Sequence, residues 1–192
     1  MGLPSKKVIQ KFTVKDYLTW PENERWELIN GTAYNMIQAP NTEHQRIISN
    51  LSFLILSFLN GKTFSGFIAP TDVYLPEHSD DTDDIMDTVV QPDFFIVCDP
   101  GKIEKRGIRG APDLTIEILS PYTEKKDWNE KFYLYESNGV KEYWVINPAE
   151  KVLHQYHLQN SVFQLIKIHE SGSIVESPVF NGLKIDLKQI FK

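Results

Sequence analysis

Val89-Val90-Gln91-Pro92-Asp93-Phe94-Phe95-Ile96-Val97-Cys98 and Asp113-Leu114-Thr115-Ile116-Glu117-Ile118-Leu119 are two apolar runs of strand length, each holding a carboxylate. Runs this rich in aliphatic and aromatic residues read as buried strands. In the second run Leu114, Ile116 and Ile118 point to one face, and Asp113, Thr115, Glu117 and Leu119 to the other. Burying a lone carboxylate costs several kcal/mol or raises its pKa, so Asp93 and Glu117 need compensation. A divalent metal is one compensating partner and a Lys or Arg is another. Exposure at a sheet edge would remove the need for either.

Outward from these strands the pattern is mixed. Residues 13–19 read as a short helix, with Thr13 as N-cap and Asp16 as its capping-box partner. Trp26 to Gln38 reads as a hairpin turned at Asn30-Gly31. Residues 42–60 place Ile47, Leu51, Leu54, Ile55 and Phe58 at helical spacing, capped by Asn41 or Thr42 and closed by Asn60-Gly61. Residues 64–75 are strand-like, and Pro70 marks a bulge or an edge. Residues 124–138 read as a helix ended by Asn138-Gly139, and Glu142 to Asn147 as a strand. Val152–Leu158 and Val162–His169 alternate as a hairpin, and the tail holds a short strand and a helical turn. This order predicts an α/β (α+β) fold, a mixed sheet flanked by helices, in one domain over 1–192. Its core is expected at about 42–147, with an N-terminal hairpin at 25–38 and a C-terminal β appendage at 151–192.

The apolar fraction of 41% and charged fraction of 24% are ordinary for a globular chain. No apolar stretch approaches the ~20 residues of a membrane span. Lys6 and Lys7 precede no hydrophobic region, so no signal peptide is expected. Cys98 is the single cysteine, which excludes an intrachain disulfide, fits a reducing cytoplasm, and reads as a packing thiol. The net charge of −6 at first argues against nucleic acid. All of it, however, matches the six acids Glu77, Asp80, Asp81, Asp83, Asp84 and Asp87, read as a solvated, mobile loop without the features of a calcium-binding EF-hand. Lys102, Lys105, Arg106 and Arg109 form a basic loop, the first choice for phosphate contacts if the chain binds DNA.

Magnesium prefers oxygen ligands, keeps several waters and needs only one or two protein carboxylates. Asp93 and Glu117 on neighbouring strands would supply them. Such an ion would polarise a phosphodiester and help ionise an attacking water, with an ammonium group nearby to orient it. Asp113 lies on the Glu117 face but about 13 Å along the strand, too far to share an ion, and reads as a strand-entry cap. His154 and His157 point to opposite faces of a strand and do not suit a shared metal.

The stretches Arg25-Trp26-Glu27-Leu28-Ile29-Asn30-Gly31, His44, Val90-Gln91-Pro92-Asp93, Ala111-Pro112-Asp113-Leu114 and Glu117-Ile118-Leu119-Ser120-Pro121 come in a specific order. They continue with Asp127, Lys131 and Tyr135, then Gly139-Val140-Lys141-Glu142-Tyr143-Trp144-Val145. Over residues 11 to 190 this order resembles the PD-(D/E)XK nuclease superfamily, and within it the Uma-two family of restriction-endonuclease-like proteins. The resemblance implies an αβββαβ core and a site of Glu27, Asp93, Glu117 and Lys131. Glu27, Asp93 and Glu117 would hold Mg²⁺ (or Mn²⁺), with DNA as the substrate. Leu119 stands where the superfamily pattern expects Lys. The resemblance places that amine on the following helix, at Lys131, with Lys126 as the alternative.

Asp127, Lys131 and Tyr135 are four apart and share a helix face, which makes Asp127 and Tyr135 candidate supporting residues. His44 reads either as a second such group, reaching the site or a phosphate, or as a structural helix-start histidine. A double-strand cutter often works as a homodimer, and the hairpin at 151–169 is a candidate interface. Two other readings stay open: a catalytically inactive module binding nucleic acid or protein, and a hydrolase of a small phosphate compound.

Overall fold

A computed structural model of the chain describes residues 10–36, 40–120 and 130–192. Lys126, Asp127 and the start of the helix expected at 124–138 lie outside the described residues. The first half of the chain runs α1 (Val14–Tyr17), β1 (Trp26–Ile29), β2 (Thr32–Asn35), α2 (Thr42–Leu59), β3 (Ser65–Ile68), β4 (Val73–Tyr74), β5 (Val89–Val90) and β6 (Phe94–Val97). It continues with β7 (Ile103–Glu104), β8 (Gly107–Arg109), β9 (Leu114–Ile118), α3 (Phe132–Ser137) and β10 (Glu142–Asn147). The last part is β11 (Val152–Gln159), β12 (Val162–Glu170), β13 (Ile174–Glu176), β14 (Lys184–Asp186) and α4 (Leu187–Ile190).

The main sheet has the order β12-β11-β10-β9-β6-β3, and only β9 and β10 are parallel neighbours in it. The succession α2, β3, β6, β9, α3, β10 is the expected αβββαβ core. The β11–β12 hairpin extends that sheet instead of standing apart from it. A second sheet, β2-β1-β5-β4-β8-β7, holds the N-terminal hairpin. That hairpin turns at Asn30 and Gly31, both with positive φ (48° and 73°). Asn-Gly tolerates this pair of left-handed conformations, and the turn's twist matches that of the strands.

The alternation in β9 sorts the main sheet into two faces. Leu114, Ile116 and Ile118 join Phe94, Ile96, Trp144 and the α2 residues Ile47, Leu51 and Ile55 in one core. Phe95, Val97, Leu119, Tyr135, Tyr143 and Val145 form the core on the other face. Asn41 is the N-cap of α2, its side chain accepting the His44 N–H. Val175, Ile185, Leu187 and Ile190 from β13, β14 and α4 complete the α2 side.

The expected strand over Val89 to Cys98 is two strands in two sheets. Pro92 has no N–H to give a ladder, and the chain leaves the second sheet after Val90 and enters the main sheet at Phe94. Residues 64–75 behave likewise, as β3 and β4 lie in different sheets on either side of Pro70. These two crossovers bring the sheets together beside Gln91-Pro92-Asp93. Among the described residues no helix is long and apolar enough to cross a membrane.

Candidate active site

Glu27 on β1, Glu117 on β9 and Lys131 before α3 meet in the interior, each almost fully buried. Lys131 Nζ lies 2.9 Å from Glu27 Oε1 and 2.8 Å from Glu117 Oε1. The Gln91 backbone N–H also donates to Glu27 Oε1, at 2.8 Å. Tyr135 donates its hydroxyl to Glu117 Oε1 at 2.7 Å. Burial, reinforced by the Glu117 carboxylate, holds the Tyr135 phenol well above the ordinary tyrosine range. It is therefore a neutral donor wherever the protein is folded at moderate pH.

Asp93 sits at the mouth of β6, and its Oδ2 accepts the Ile118 N–H at 2.8 Å. This bond seats the carboxyl beside the backbone of β9, one residue beyond Glu117. His44 Nε2 lies 3.1 Å from the same oxygen. The His44 backbone N–H donates to the Asn41 side chain, and its ring lies against Asp93. The Asp93 side chain keeps 19% of its exposure, whereas Glu27 keeps none.

Glu27, Glu117 and Lys131 come together, and the cation between the two glutamates is the Lys131 ammonium. Among the described residues no group of three or more His, Cys, Asp or Glu side chains is disposed to hold a metal ion. The donors fit an oxygen-seeking ion at Asp93 with Glu117 adjacent, since magnesium can take one or two carboxylates and fill its remaining sites with water. They do not form a three-carboxylate cage.

Asp113 lies away from this cluster. Its carboxylate accepts the Cys98 N–H at 2.7 Å and pairs with Lys141 Nζ at 2.7 Å. Burial, with Asp113 nearby, pushes the Cys98 thiol up to about 11, so it stays protonated at neutral pH.

The basic loop meets the acidic loop. Arg106 forms two bonds to Asp83, at 2.7 and 2.8 Å, and lies 3.4 Å from Glu104. Arg109 donates to the Asp81 and Ser79 carbonyls, and Lys102 to the Ala111 carbonyl at 2.7 Å. Most of residues 77–87 are exposed, as expected of a solvated loop, but Asp81 and Met86 are buried, Met86 in a small core beside Val14 and Leu28. Lys105 is exposed, and among the described residues it has no ion-pair partner.

Arg25, Asp72 and Gln91, to which no motif assigns a separate role, are joined at the edge of the carboxylate cluster. Arg25 Nε and Nη2 donate to Gln91 Oε1, and Gln91 Nε2 donates to Asp72 Oδ1. The available signal was spacing, since Arg25, just before β1, is two residues from Glu27.

Two sheets thus meet beside strand carboxylates and a buried ammonium, in a mixed α/β fold of nuclease-like class. The crystal structure of a putative nuclease belonging to DUF820 from Anabaena variabilis superposes with a TM-score of 0.73. It covers 94% of this chain and 97% of its own, at 22% identity. A family model described as Uma2, putative restriction endonuclease, matches residues 14–188, and the chain belongs to that family. An uncharacterized protein of Synechocystis sp., slr1290, is 27% identical over 171 residues, covering 86% of this chain and 84% of the relative.

Proposed function

We propose that the chain is a metal-dependent DNA endonuclease that hydrolyses phosphodiester bonds. The observation that carries this reading is the seating of Asp93 against the backbone of β9, beside Glu117 and the buried Lys131 ammonium. Asp93 and Glu117 would hold Mg²⁺ or Mn²⁺, with Glu27 as the third acidic member. Such an ion, when bound, supplies Lewis-acid stabilisation of the phosphate and a more acidic water. The three carboxylates and one ammonium carry two negative formal charges in excess, which a divalent cation would balance.

Lys131 is fixed by its two carboxylates and presents a positive charge at a set position. A preorganised charge aimed at a developing oxyanion costs no reorganisation during reaction. Tyr135 and Gln91 hold Glu117 and Glu27, and His44 orients Asp93. Purified protein with Mg²⁺ or Mn²⁺ is expected to nick plasmid DNA, and Asp93→Ala or Glu117→Ala to abolish nicking. Undiminished cleavage by both variants contradicts the assignment.

One observation favours a second reading, a nuclease-fold module that binds nucleic acid or protein without turnover. The Lys131 ammonium already neutralises part of the Glu27 and Glu117 charge. Absence of carboxylate-dependent divalent-ion affinity would support that module.

Cleavage of both strands of a duplex would engage a homodimer. β12 is the outer strand of the main sheet, and Val162, Leu165, Ile166 and Ile168 are exposed along it. An apolar edge strand with unpaired backbone groups invites pairing with another copy. Sedimentation tests this: Ile166→Lys should shift a dimer to monomer.

A further inference from the structure

Beside the carboxylate cluster, the N-terminal segment and the β7–β8 turn enclose a cleft of about 660 Å³. That volume lies within the range of sites for ligands of nucleotide size. One wall is aromatic. Trp20 packs edge-on against Tyr17 and Trp26, at ring-centroid distances of 5.4 and 5.2 Å, and all three rings are half-buried. Phe67, stacked on Phe95, lines the cleft as well.

The floor is polar and internally hydrogen-bonded. Gln91 bridges Arg25 and Asp72, and Tyr17 donates to Asp72 Oδ1 at 2.9 Å. The Gln91 backbone N–H reaches Glu27 Oε1, so the floor and the carboxylate cluster share one residue. Lys105 stands at the rim with its charge uncommitted among the described residues, while Arg106 beside it is bound to Asp83 and Glu104.

The charges of the cleft decide which ligand fits. Glu22, Glu24, Asp72 and Glu104 oppose Arg25, Lys105 and Arg106 along its lining. A surface that follows a duplex backbone needs several cations free to meet phosphates. Here, among the described residues, Lys105 is the one cation of the lining without a hydrogen-bond or ion-pair partner, and it stands beside aromatic and aliphatic side chains. Aromatic faces with a single nearby cation suit an unstacked base and its phosphate.

We propose that this cleft receives one unpaired nucleotide of a nucleic acid strand, with its base against Trp20 and Trp26 and its phosphate at Lys105. The proposal rests on the nucleic-acid reading of the adjacent carboxylate site and adds the substrate form: single-stranded, or duplex with an extruded base.

The test is fluorescence anisotropy of the full chain in EDTA, so that no strand is cut during binding. The probes are a labelled oligothymidylate, a matched duplex of equal length, and that duplex with one unpaired thymidine. The single strand is expected to bind about tenfold more tightly than the matched duplex, and to quench tryptophan fluorescence. Tight binding of the unpaired-thymidine duplex identifies base extrusion as a second route into the cleft. Lys105→Glu should weaken single-strand binding and lower its salt slope by about one. Thr71→Trp, which fills the cleft, should weaken binding while the melting temperature stays unchanged.

Equal affinity for single strand and matched duplex overturns the proposal, as does an unchanged affinity in both Lys105→Glu and Thr71→Trp. Failure of the endonuclease reading looks different: single-strand binding persists, but no strand is cut when Mg²⁺ or Mn²⁺ is restored.

Discussion

Lys131 holds its ammonium 2.8 Å from Glu117 Oε1, with both side chains withdrawn from water. Removing one member of a buried ion pair leaves an uncompensated charge, at a cost of about 3–5 kcal/mol. Lys131→Met is therefore expected to lower the urea midpoint strongly, because Glu27 loses its ammonium partner at the same time. Adding Glu117→Gln should recover part of the loss, with a coupling of about 1–3 kcal/mol in a double-mutant cycle. Additive losses in that cycle would show that the contact carries little energy.

Tyr135→Phe removes a hydroxyl donor from Glu117 without opening a large cavity. A hydrogen bond to a charged group is worth about 1.5–3 kcal/mol, and the variant should lose stability in that range. In alkaline titration, the phenolate absorbance lost with Tyr135 should be missing from the ordinary tyrosine range in the folded wild type. Stability attached to Tyr135 is constant below its unfolded pKa and falls as pH rises above it, because the unfolded phenol ionises first.

Asp113 gives an acid-side prediction. Burial acts to raise its pKa, but the Lys141 pair and the Cys98 N–H outweigh it and hold the carboxyl below its ordinary value of 3.8. A depressed carboxyl contributes stability that is present above the unfolded pKa and lost as pH falls through the folded one. Wild type should exceed Asp113→Asn in urea midpoint near neutrality, with the gap closing below pH 3.8. A gap that widens in acid would reverse the assigned sign.

Arg106 ties the basic loop to Asp83 through a two-bond contact. Arg106→Ala should cost about 1 kcal/mol or less, as both partners keep a third of their exposure. It should leave the salt dependence of DNA binding nearly unchanged, in contrast to Lys105→Glu. A loss of one unit of salt slope in Arg106→Ala would show that the Asp83 contact yields to phosphate.

Much of the fold was legible because its signals are local. Asn30-Gly31 marked a turn, the spacing from Ile47 to Phe58 marked α2, and alternation in β9 sorted its side chains between two cores. The division of Val89–Cys98 between two sheets was not legible. Pro92 announces a break in a ladder, but the partner strands on either side are remote in sequence. Of the candidate site, Glu27, Glu117 and Lys131 meet, and Asp93 lies one strand away. The contact of Lys131 with both acids, and the neutralisation of Arg106 by Asp83 across 23 residues of chain, depend on tertiary packing that no local spacing encodes.

Asp93 and Glu117 are proposed to hold a divalent cation next to the Lys131 ammonium. Calorimetric titration of Mn²⁺ into the wild type, Asp93→Asn and Glu117→Gln tests it most directly. A saturable site is expected in the wild type, with loss of at least about tenfold in affinity in each variant and the folded state retained. Equal Mn²⁺ affinity in all three proteins, or no binding by the wild type, would contradict it.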